Sequence, residues 1–235
     1  MDLNQPIPNR KVPSLHDYVI EPIDDQIVSL REAGFCVDSQ YYRQGVPGAY
    51  LDCYVRESLI SMLKKAEALL PDGLKLKIYD GYRPICIQQR LWNHYRQDIV
   101  NKYSDLSDEE IDFKTSFFVS KPSYDVTKPS LHSTGGAVDL TIITDTGYEL
   151  NMGTLFDDFT DRAWTDHFEN YGQADEVKRN RRLLYYAMIS AGFTNLPSEW
   201  WHYDYGDKFW SYFTGRPAKY FGVIDIDFPD RFPLE

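Results

Sequence analysis

The chain has 235 residues, of which 43% are hydrophobic, so it can bury a core in one large domain or two small ones. Its formal net charge is −11, with 36 acidic against 25 basic residues, which argues against nucleic acid or an anionic membrane as the main partner. No stretch approaches the roughly 20 apolar residues of a membrane span, and the first 20 residues lack the apolar segment of a signal peptide. We therefore expect a cytoplasmic protein, or a periplasmic one if a signal peptide has been removed.

Residues 1–20 are polar and proline-rich, and they predict an N-terminal arm that lies on the body of the protein. No repeat, low-complexity tract or linker interrupts residues 21–235, which we interpret as one domain. A turn-rich segment at 41–50 contains three tyrosines, which could line a pocket or pack on the surface. Apolar residues then recur at helical spacing from about Val55 to Leu70 and predict a helix.

A strand followed by a helix is predicted next. Alternating apolar residues over 74–80 indicate the strand, and helical spacing indicates a helix from about Ile85 to Lys102, with Pro84 suited to its first position. Arg83 lies at the junction between them, where side chains commonly face a cleft. From this segment alone, a surface salt bridge is the favoured interpretation of Arg83.

Two further helices flank a long irregular region. A capping-box sequence at 107–110 predicts a helix that ends near Phe118. After a turn at 145–147, the aromatic and acidic segment from Met152 to about Gly172 is long enough to be a functional loop, and we interpret His167 within it as a surface residue. A last helix is predicted at about 175–191, before a glycine.

The segment at 130–139 is the first candidate metal site. It places His132 and Asp139 seven residues apart, with two glycines between them that allow a tight bend. The alternation from Ala137 onward predicts a strand whose less apolar face carries Asp139. The bend can bring His132 back toward this carboxylate, and one imidazole with one carboxylate suits a zinc site. Equally, the two residues could merely hydrogen-bond to each other.

The segment at 198–203 supplies the remaining side chains of such a site. His202 would be the third protein ligand, and Glu199 would be a separate base beside an open coordination position. The aromatic composition predicts a strand, in which residues three apart point to opposite faces. We therefore expect Glu199 in the turn after Pro197, just before the strand begins. The alternative is an aromatic core strand with a hydrogen-bonded histidine.

Three motifs occur in order, namely DGYRP at 80–84, SxHxxGxAxD at 130–139 and EWWH at 199–202. This combination resembles the D-alanyl-D-alanine dipeptidases of the VanX type, a group of zinc D,D-peptidases. The resemblance extends from about residue 20 to about residue 210. It implies an α+β fold, with a mixed or antiparallel sheet flanked by helices in a single compact domain, and a restricted cavity that admits dipeptides.

The resemblance also implies a role for individual residues in the hydrolysis of D-alanyl-D-alanine or a closely related dipeptide. The implied ligands of one Zn²⁺ per chain are His132, Asp139 and His202. Glu199 would be the catalytic base, and Arg83 matches the arginine that stabilises the transition state, which replaces the salt-bridge interpretation. The residues that match positions near the substrate pocket are Asp80, Ser130 and Asp157. Asp80 or Asp157 could hold the substrate amine.

Two departures from the family pattern affect the substrate more than the chemistry. The segment at 38–45 lacks the usual Asp-Asn-Phe-Thr-Gly pattern, and Leu131 replaces a small polar residue. The first alternative is therefore a zinc carboxypeptidase or L,D-peptidase that acts on cell-wall stem peptides, which an open cleft would favour. A zinc-binding module without catalysis would need neither Glu199 nor Arg83. A glycosidase that uses two carboxylates would be insensitive to chelators.

Overall fold

The computed structural model describes residues 2–13, 17–116, 119–158, 160–170 and 175–234. None of the helices in these ranges is long and apolar enough to span a membrane. The strands are β1 (Ile27–Ser29), β2 (Cys36–Val37), β3 (Tyr54–Arg56), β4 (Leu74–Asp80), β5 (Ala137–Thr144), β6 (Thr194–Asn195) and β7 (His202–Asp204). The α-helices are α1 (Gln40–Arg43), α2 (Glu57–Glu67), α3 (Ile85–Lys102), α4 (Asp108–Thr115), α5 (Asp175–Ala191) and α6 (Lys208–Thr214).

Five of the strands form one mixed sheet, in the order β2-β4-β5-β7-β6. β2 runs parallel to β4, whereas the other neighbouring pairs in this sheet are antiparallel. β1 and β3 form a separate antiparallel pair. Together with the six helices, this mixed sheet confirms the predicted α+β class.

The central strand β5 is buried on both faces. Val138, Leu140 and Ile142 are fully buried in the main apolar cluster. That cluster also contains Leu63 of α2 and Leu184 of α5, and these two helices pack against each other. Burying an aliphatic side chain of this size stabilises a fold by roughly 1.5–3 kcal/mol. The opposite face of β5 carries Asp139, so a polar side chain is held on a strand that the core fixes in place.

The predicted strand at 74–80 and the predicted helices at 85–102 and 175–191 are confirmed with the same bounds. Pro84 is the N-cap of α3 rather than its first helical residue. The capping box at 107–110 is also confirmed, with both of its hydrogen bonds present. The predicted end of that helix, Phe118, lies outside the described residues.

Other element boundaries differ from the predictions. The helix predicted from residue 55 begins at Glu57, because residues 54–56 pair with β1 instead. The last predicted strand begins only at His202. Helix α6 was not predicted; the side chain of Asp207 caps its N-terminus by accepting a hydrogen bond from the Trp210 amide at 3.0 Å.

The first residues lie against α5. The hydroxyl of Tyr186 donates to the carbonyl of Pro6, and Arg182 donates to the carbonyl of Leu3 at 2.9 Å. The Ile7 amide donates to Glu169. These contacts agree with an arm on the body, while the division at residue 20 stays a prediction.

The bend before β5 depends on its two glycines. Residues 132–134 form a 3₁₀ turn, and Gly135 follows it with a φ of 72°, a left-handed conformation that favours glycine. A Cβ atom on Gly136 would lie 2.3 Å from the carbonyl oxygen of Tyr205. The chain can therefore reverse tightly here, as predicted, and carry His132 back over the sheet.

Candidate metal centre

The sheet register brings polar side chains to one face. Asp139 in β5 lies directly opposite His202 in β7, and Asp80 at the end of β4 lies opposite Asp139 on its other side. Residues opposite each other in neighbouring strands project from the same face. His132 approaches that face from the 3₁₀ turn before β5, as the glycine bend requires.

Three of these side chains, those of His132, Asp139 and His202, form a compact buried group, the candidate metal group. His202 Nδ1 lies 2.9 Å from Asp139 Oδ1 and 3.2 Å from His132 Nε2. His132 Nε2 lies 3.3 Å from Asp139 Oδ2. One donor atom from each residue lies within 4.8 Å of the others, and among the described residues no other group of this kind could hold a metal ion.

The surroundings of the two imidazoles determine which nitrogens face inward. His132 Nδ1 lies 2.7 Å from the carbonyl oxygen of Gly81, and His202 Nε2 lies 2.7 Å from Asp204 Oδ1. A carbonyl oxygen can only accept, so His132 Nδ1 carries a proton, and His202 Nε2 can donate to its carboxylate in the same way. In neutral rings the inward nitrogens, His132 Nε2 and His202 Nδ1, then present lone pairs.

Asp139 brings a negative charge to the two inward imidazole nitrogens. Burial raises the pKa of Asp139, but the two neighbouring histidines outweigh this and hold it below its ordinary value, so the carboxylate is ionised. Two imidazole nitrogens and one carboxylate form the donor set typical of a catalytic zinc site. The residues present therefore fit a divalent metal.

Glu199 lies in the turn before β7, where the sequence predicted it. The Glu199 amide donates to the carbonyl of Leu196, and the Glu199 carbonyl accepts from the His202 amide. Its Oε2 lies 3.8 Å from His202 Nδ1, close to the metal group without belonging to it. Burial raises the pKa of Glu199 above its ordinary value, as is common for a general base.

Arg83 is 7% exposed, so the surface salt-bridge interpretation was wrong. Its Nε and Nη2 both bind Asp80 Oδ2, at 2.9 and 2.8 Å, and its Nη1 donates to Gln88 Oε1 at 3.1 Å. Nη2 also lies 3.8 Å from Asp139 Oδ2, at the edge of the metal group. Asp80 and Gln88 therefore fix the guanidinium, and its Nη2 lies nearest to the metal group.

Tyr41 connects Arg83 to Asp157. Its hydroxyl accepts a hydrogen bond from Arg83 Nη2 at 3.1 Å and donates to Asp157 Oδ2 at 3.2 Å. The guanidinium carbon lies 4.7 Å from the centre of the Tyr41 ring, a cation–π distance. Asp157 has a φ of 57°, and burial raises its pKa to about 8. A non-glycine residue in this left-handed conformation is often found at a functional site.

These side chains surround a cavity of about 60 Å³. Ser130 and Asp157 lie on its wall, as the sequence predicted, whereas Asp80 is not among the described residues that line it. Asp80 is instead bound to Arg83. The described lining residues are Tyr41, Arg83, Gln88, Leu91, Tyr95, Val119, Ser120, Ser130, Leu131, His132, Asp139, Asp157, Leu196, Glu199 and His202.

Three residues at the site were not predicted. Tyr41 was left open between pocket and surface, and neither Gln88 nor Asp204 was singled out. The sequence His202-Tyr203-Asp204 did contain a signal, because alternate residues of a strand share a face. Tyr41 and Gln88 gave no comparable signal, since their contacts to Arg83 join segments distant in sequence.

The chain is similar in sequence to known proteins. The family model described as D-ala-D-ala dipeptidase matches residues 38–224. A D-alanyl-D-alanine dipeptidase of Synechocystis is 28% identical over 176 residues, which cover 67% of this chain and 71% of the relative. Those of Escherichia coli and Enterococcus faecium are 32% and 34% identical, over 65% and 63% of this chain and 66% and 70% of their own lengths.

Proposed function

Because the chain belongs to the D-ala-D-ala dipeptidase family, and is thus a zinc metallopeptidase, we propose that it hydrolyses D-alanyl-D-alanine or a closely related dipeptide. One observation carries the proposal: two imidazole nitrogens and an ionised carboxylate converge beside Glu199, a carboxylate outside the group. A structural zinc site usually has four protein ligands, whereas a catalytic site has three and an open position. Three ligands with a nearby base favour catalysis.

We assign the metal ligands as His132 through Nε2, His202 through Nδ1 and Asp139 through its carboxylate, for one Zn²⁺ per chain. When bound, zinc would act as a Lewis acid toward the scissile carbonyl and lower the pKa of a water molecule toward about 7. The outward N–H groups of the two histidines remain bound to Gly81 and Asp204, which keeps both rings in the orientation that the site needs.

Glu199 is the proposed general base. It takes a proton from the attacking water and delivers it to the leaving amine, a role that contributes roughly 10²- to 10⁴-fold in rate. Its raised pKa supports both halves of this role, because a carboxylate of higher pKa is a better proton acceptor and holds the proton until the amine leaves. Its position 3.8 Å from His202 Nδ1 keeps it within reach of the reacting atoms.

Arg83 is the proposed stabiliser of the negative charge that develops on the carbonyl oxygen. Its Nη2, which also binds Asp80 and Tyr41, lies on the side of the metal group, and its Nη1 is bound by Gln88. A donor fixed in advance costs no reorganisation when the charge develops. Asp80 therefore acts here as a positioning residue for Arg83, rather than as the amine anchor.

Asp157 is the proposed anchor for the substrate ammonium group. It lies on the cavity wall and accepts a hydrogen bond from the Tyr41 hydroxyl. A peptide that is acylated at its N-terminus has no ammonium group, and a site with an unpaired buried carboxylate rejects it. Ser130, on the same wall, offers a hydroxyl to the substrate.

A second candidate function is favoured by the surroundings of the cavity. A groove of about 910 Å³ adjoins it and shares Ser120, Leu131, Leu196 and Glu199 with it. An open groove beside the base could hold the rest of a longer peptide. A zinc carboxypeptidase or L,D-peptidase that acts on cell-wall stem peptides is therefore the alternative.

A substrate panel distinguishes the two candidates. The purified protein would be tested for release of amino acid from D,D-, L,D- and L,L-dipeptides and from their N-acylated forms, with and without a chelator. We expect hydrolysis of D-alanyl-D-alanine that the chelator abolishes and that added zinc restores. Cleavage of N-acylated peptides alone would replace the dipeptidase by the carboxypeptidase, and activity insensitive to chelator would exclude both.

Two variants separate the base from the ligands. Glu199→Ala should retain stoichiometric zinc and lose most activity, whereas His202→Ala should lose both zinc and activity. Metal content would be measured on the same preparations by atomic emission. A fully active Glu199→Ala protein would remove this residue from the role of general base.

A further inference from the structure

Asp204 holds His202 from the side opposite the metal group. Its Oδ1 lies 2.7 Å from His202 Nε2, and its side chain is fully buried. We infer that Asp204 is a positioning residue that fixes the tautomer and ring orientation of His202, and thereby sets the affinity of the site for zinc. The inference rests on the proposed function, since it concerns the same metal site.

The strand geometry makes this contact a consequence of sequence. His202 and Asp204 are the first and last residues of β7, two positions apart, so both side chains project from the same face of the sheet. Asp139 lies opposite His202, and Ala137 lies opposite Asp204 in β5.

A histidine without such a partner can bind a metal through either nitrogen. In a neutral ring, the hydrogen bond to Asp204 places the proton on Nε2 and leaves the lone pair on Nδ1, the atom that lies 2.9 Å from Asp139. A negative charge behind the ring also raises the basicity of the nitrogen that faces the metal. Removing Asp204 therefore has two effects. The His202 ring is no longer held in one orientation, and its Nδ1 becomes a less basic ligand atom for the metal.

Asp207 is a second buried carboxyl group near Asp204. It caps α6 through Oδ1, while its Oδ2 and that of Asp204 are both buried without a hydrogen-bond partner among the described residues. Burial and the neighbouring Asp204 raise the pKa of Asp207 well above its ordinary value.

The test compares zinc affinity across three variants, measured by competition with a chromogenic chelator. Asp204→Val removes the acceptor with a residue that suits a strand, and Asp204→Asn keeps an acceptor without the charge. Asp207→Asn is the matched control, because asparagine also caps helices well. We expect about 10- to 100-fold weaker zinc binding for Asp204→Val, a smaller loss for Asp204→Asn, and a change within threefold for Asp207→Asn.

A second measurement keeps the inference testable even if Asp204→Val fails to fold. Nitrogen-15 NMR of the zinc-loaded wild-type protein should show a slowly exchanging proton on His202 Nε2. A proton on Nδ1 instead, or a zinc dissociation constant for folded Asp204→Val within twofold of wild type, would overturn the inference.

The outcome also separates this inference from the proposed function. If the wild-type protein hydrolyses no dipeptide but Asp204→Val binds zinc more weakly than wild type, the proposed substrate is wrong and the positioning role is supported. If the wild-type protein hydrolyses dipeptides and Asp204→Val binds zinc as tightly as wild type, the proposed function is supported and the positioning role of Asp204 is wrong.

Discussion

The substitution Arg83→Lys keeps the positive charge but removes the planar fork. Arg83 binds Asp80 with two nitrogens, Gln88 with a third donor and Tyr41 with the end that faces the site. A lysine has one nitrogen at the end of a flexible chain and behaves as a point charge. If that nitrogen binds the buried Asp80 carboxylate, it is no longer available to the developing oxyanion.

The expected loss follows from these contacts. Removing one preorganised donor to an oxyanion costs about 2.7–4 kcal/mol of transition-state stabilisation, or roughly 10²- to 10³-fold in kcat. Gln88 Oε1 also loses its donor, and an unsatisfied buried acceptor costs about 1–3 kcal/mol of stability. We therefore expect a folded but less stable enzyme, with kcat and kcat/KM lowered together, because the lost interaction forms only in the transition state.

The assay is steady-state hydrolysis of D-alanyl-D-alanine, with zinc content and thermal unfolding measured on the same samples. Arg182→Lys is the matched control, since Arg182 also binds a carboxylate, that of Glu169, with its fork, but outside the cavity. The control should keep wild-type kcat. An Arg83→Lys enzyme with kcat within threefold of wild type and full zinc would refute the assigned role.

Three other substitutions test the surroundings of the site. Tyr41→Phe keeps the aromatic ring beside Arg83 but removes the hydroxyl that links Arg83 to Asp157. We expect kcat/KM to fall about tenfold, a typical value for the loss of one hydrogen bond to a charged group. The control Tyr42→Phe should leave the kinetics unchanged. Burial raises the pKa of Asp157 to about 8 from an ordinary 3.8. Between these two pH values the folded metal-free protein binds one proton more than the unfolded chain, so its stability falls as pH rises. The Asp157→Asn variant lacks this titration, so its unfolding free energy minus that of wild type should increase from pH 5 to pH 8, by at most about 1.4 kcal/mol per pH unit. Urea titrations that give the same difference at every pH would contradict this. Arg181 is 2% exposed and donates to three backbone carbonyls between residues 152 and 164. A buried acceptor left unsatisfied costs about 1–3 kcal/mol, so Arg181→Met should destabilise the fold by roughly 3 kcal/mol or more. A loss below about 1 kcal/mol would show that these bonds do not hold the segment that carries the carbonyls.

Elements with strong local periodicity could be predicted from the sequence. β4, α3 and α5 match their predicted bounds because apolar spacing, proline and glycine encode them locally. The three-residue strand β3 and the seven-residue helix α6 were missed. The first pairs with the distant β1, and the second lies in an aromatic, proline-containing tail without a clear apolar stripe. Their stability comes from tertiary contacts that no local window contains.

The metal group was predictable because each half of it lies in a short motif. The glycine bend joins His132 to Asp139 within eight residues, and the Glu-x-x-His spacing sets Glu199 in the turn before His202. The burial of Arg83 was not predictable from its own segment. It depends on Tyr41, Gln88 and the register of β4 against β5, which together enclose the guanidinium.

The most direct test of the central claim is anomalous diffraction at the zinc edge from crystals of the zinc-loaded protein. A single peak is expected at about 2.0–2.2 Å from His132 Nε2, His202 Nδ1 and a carboxylate oxygen of Asp139, with Glu199 beyond bonding distance. A zinc peak elsewhere, or no peak in protein that hydrolyses D-alanyl-D-alanine, would contradict the proposed site.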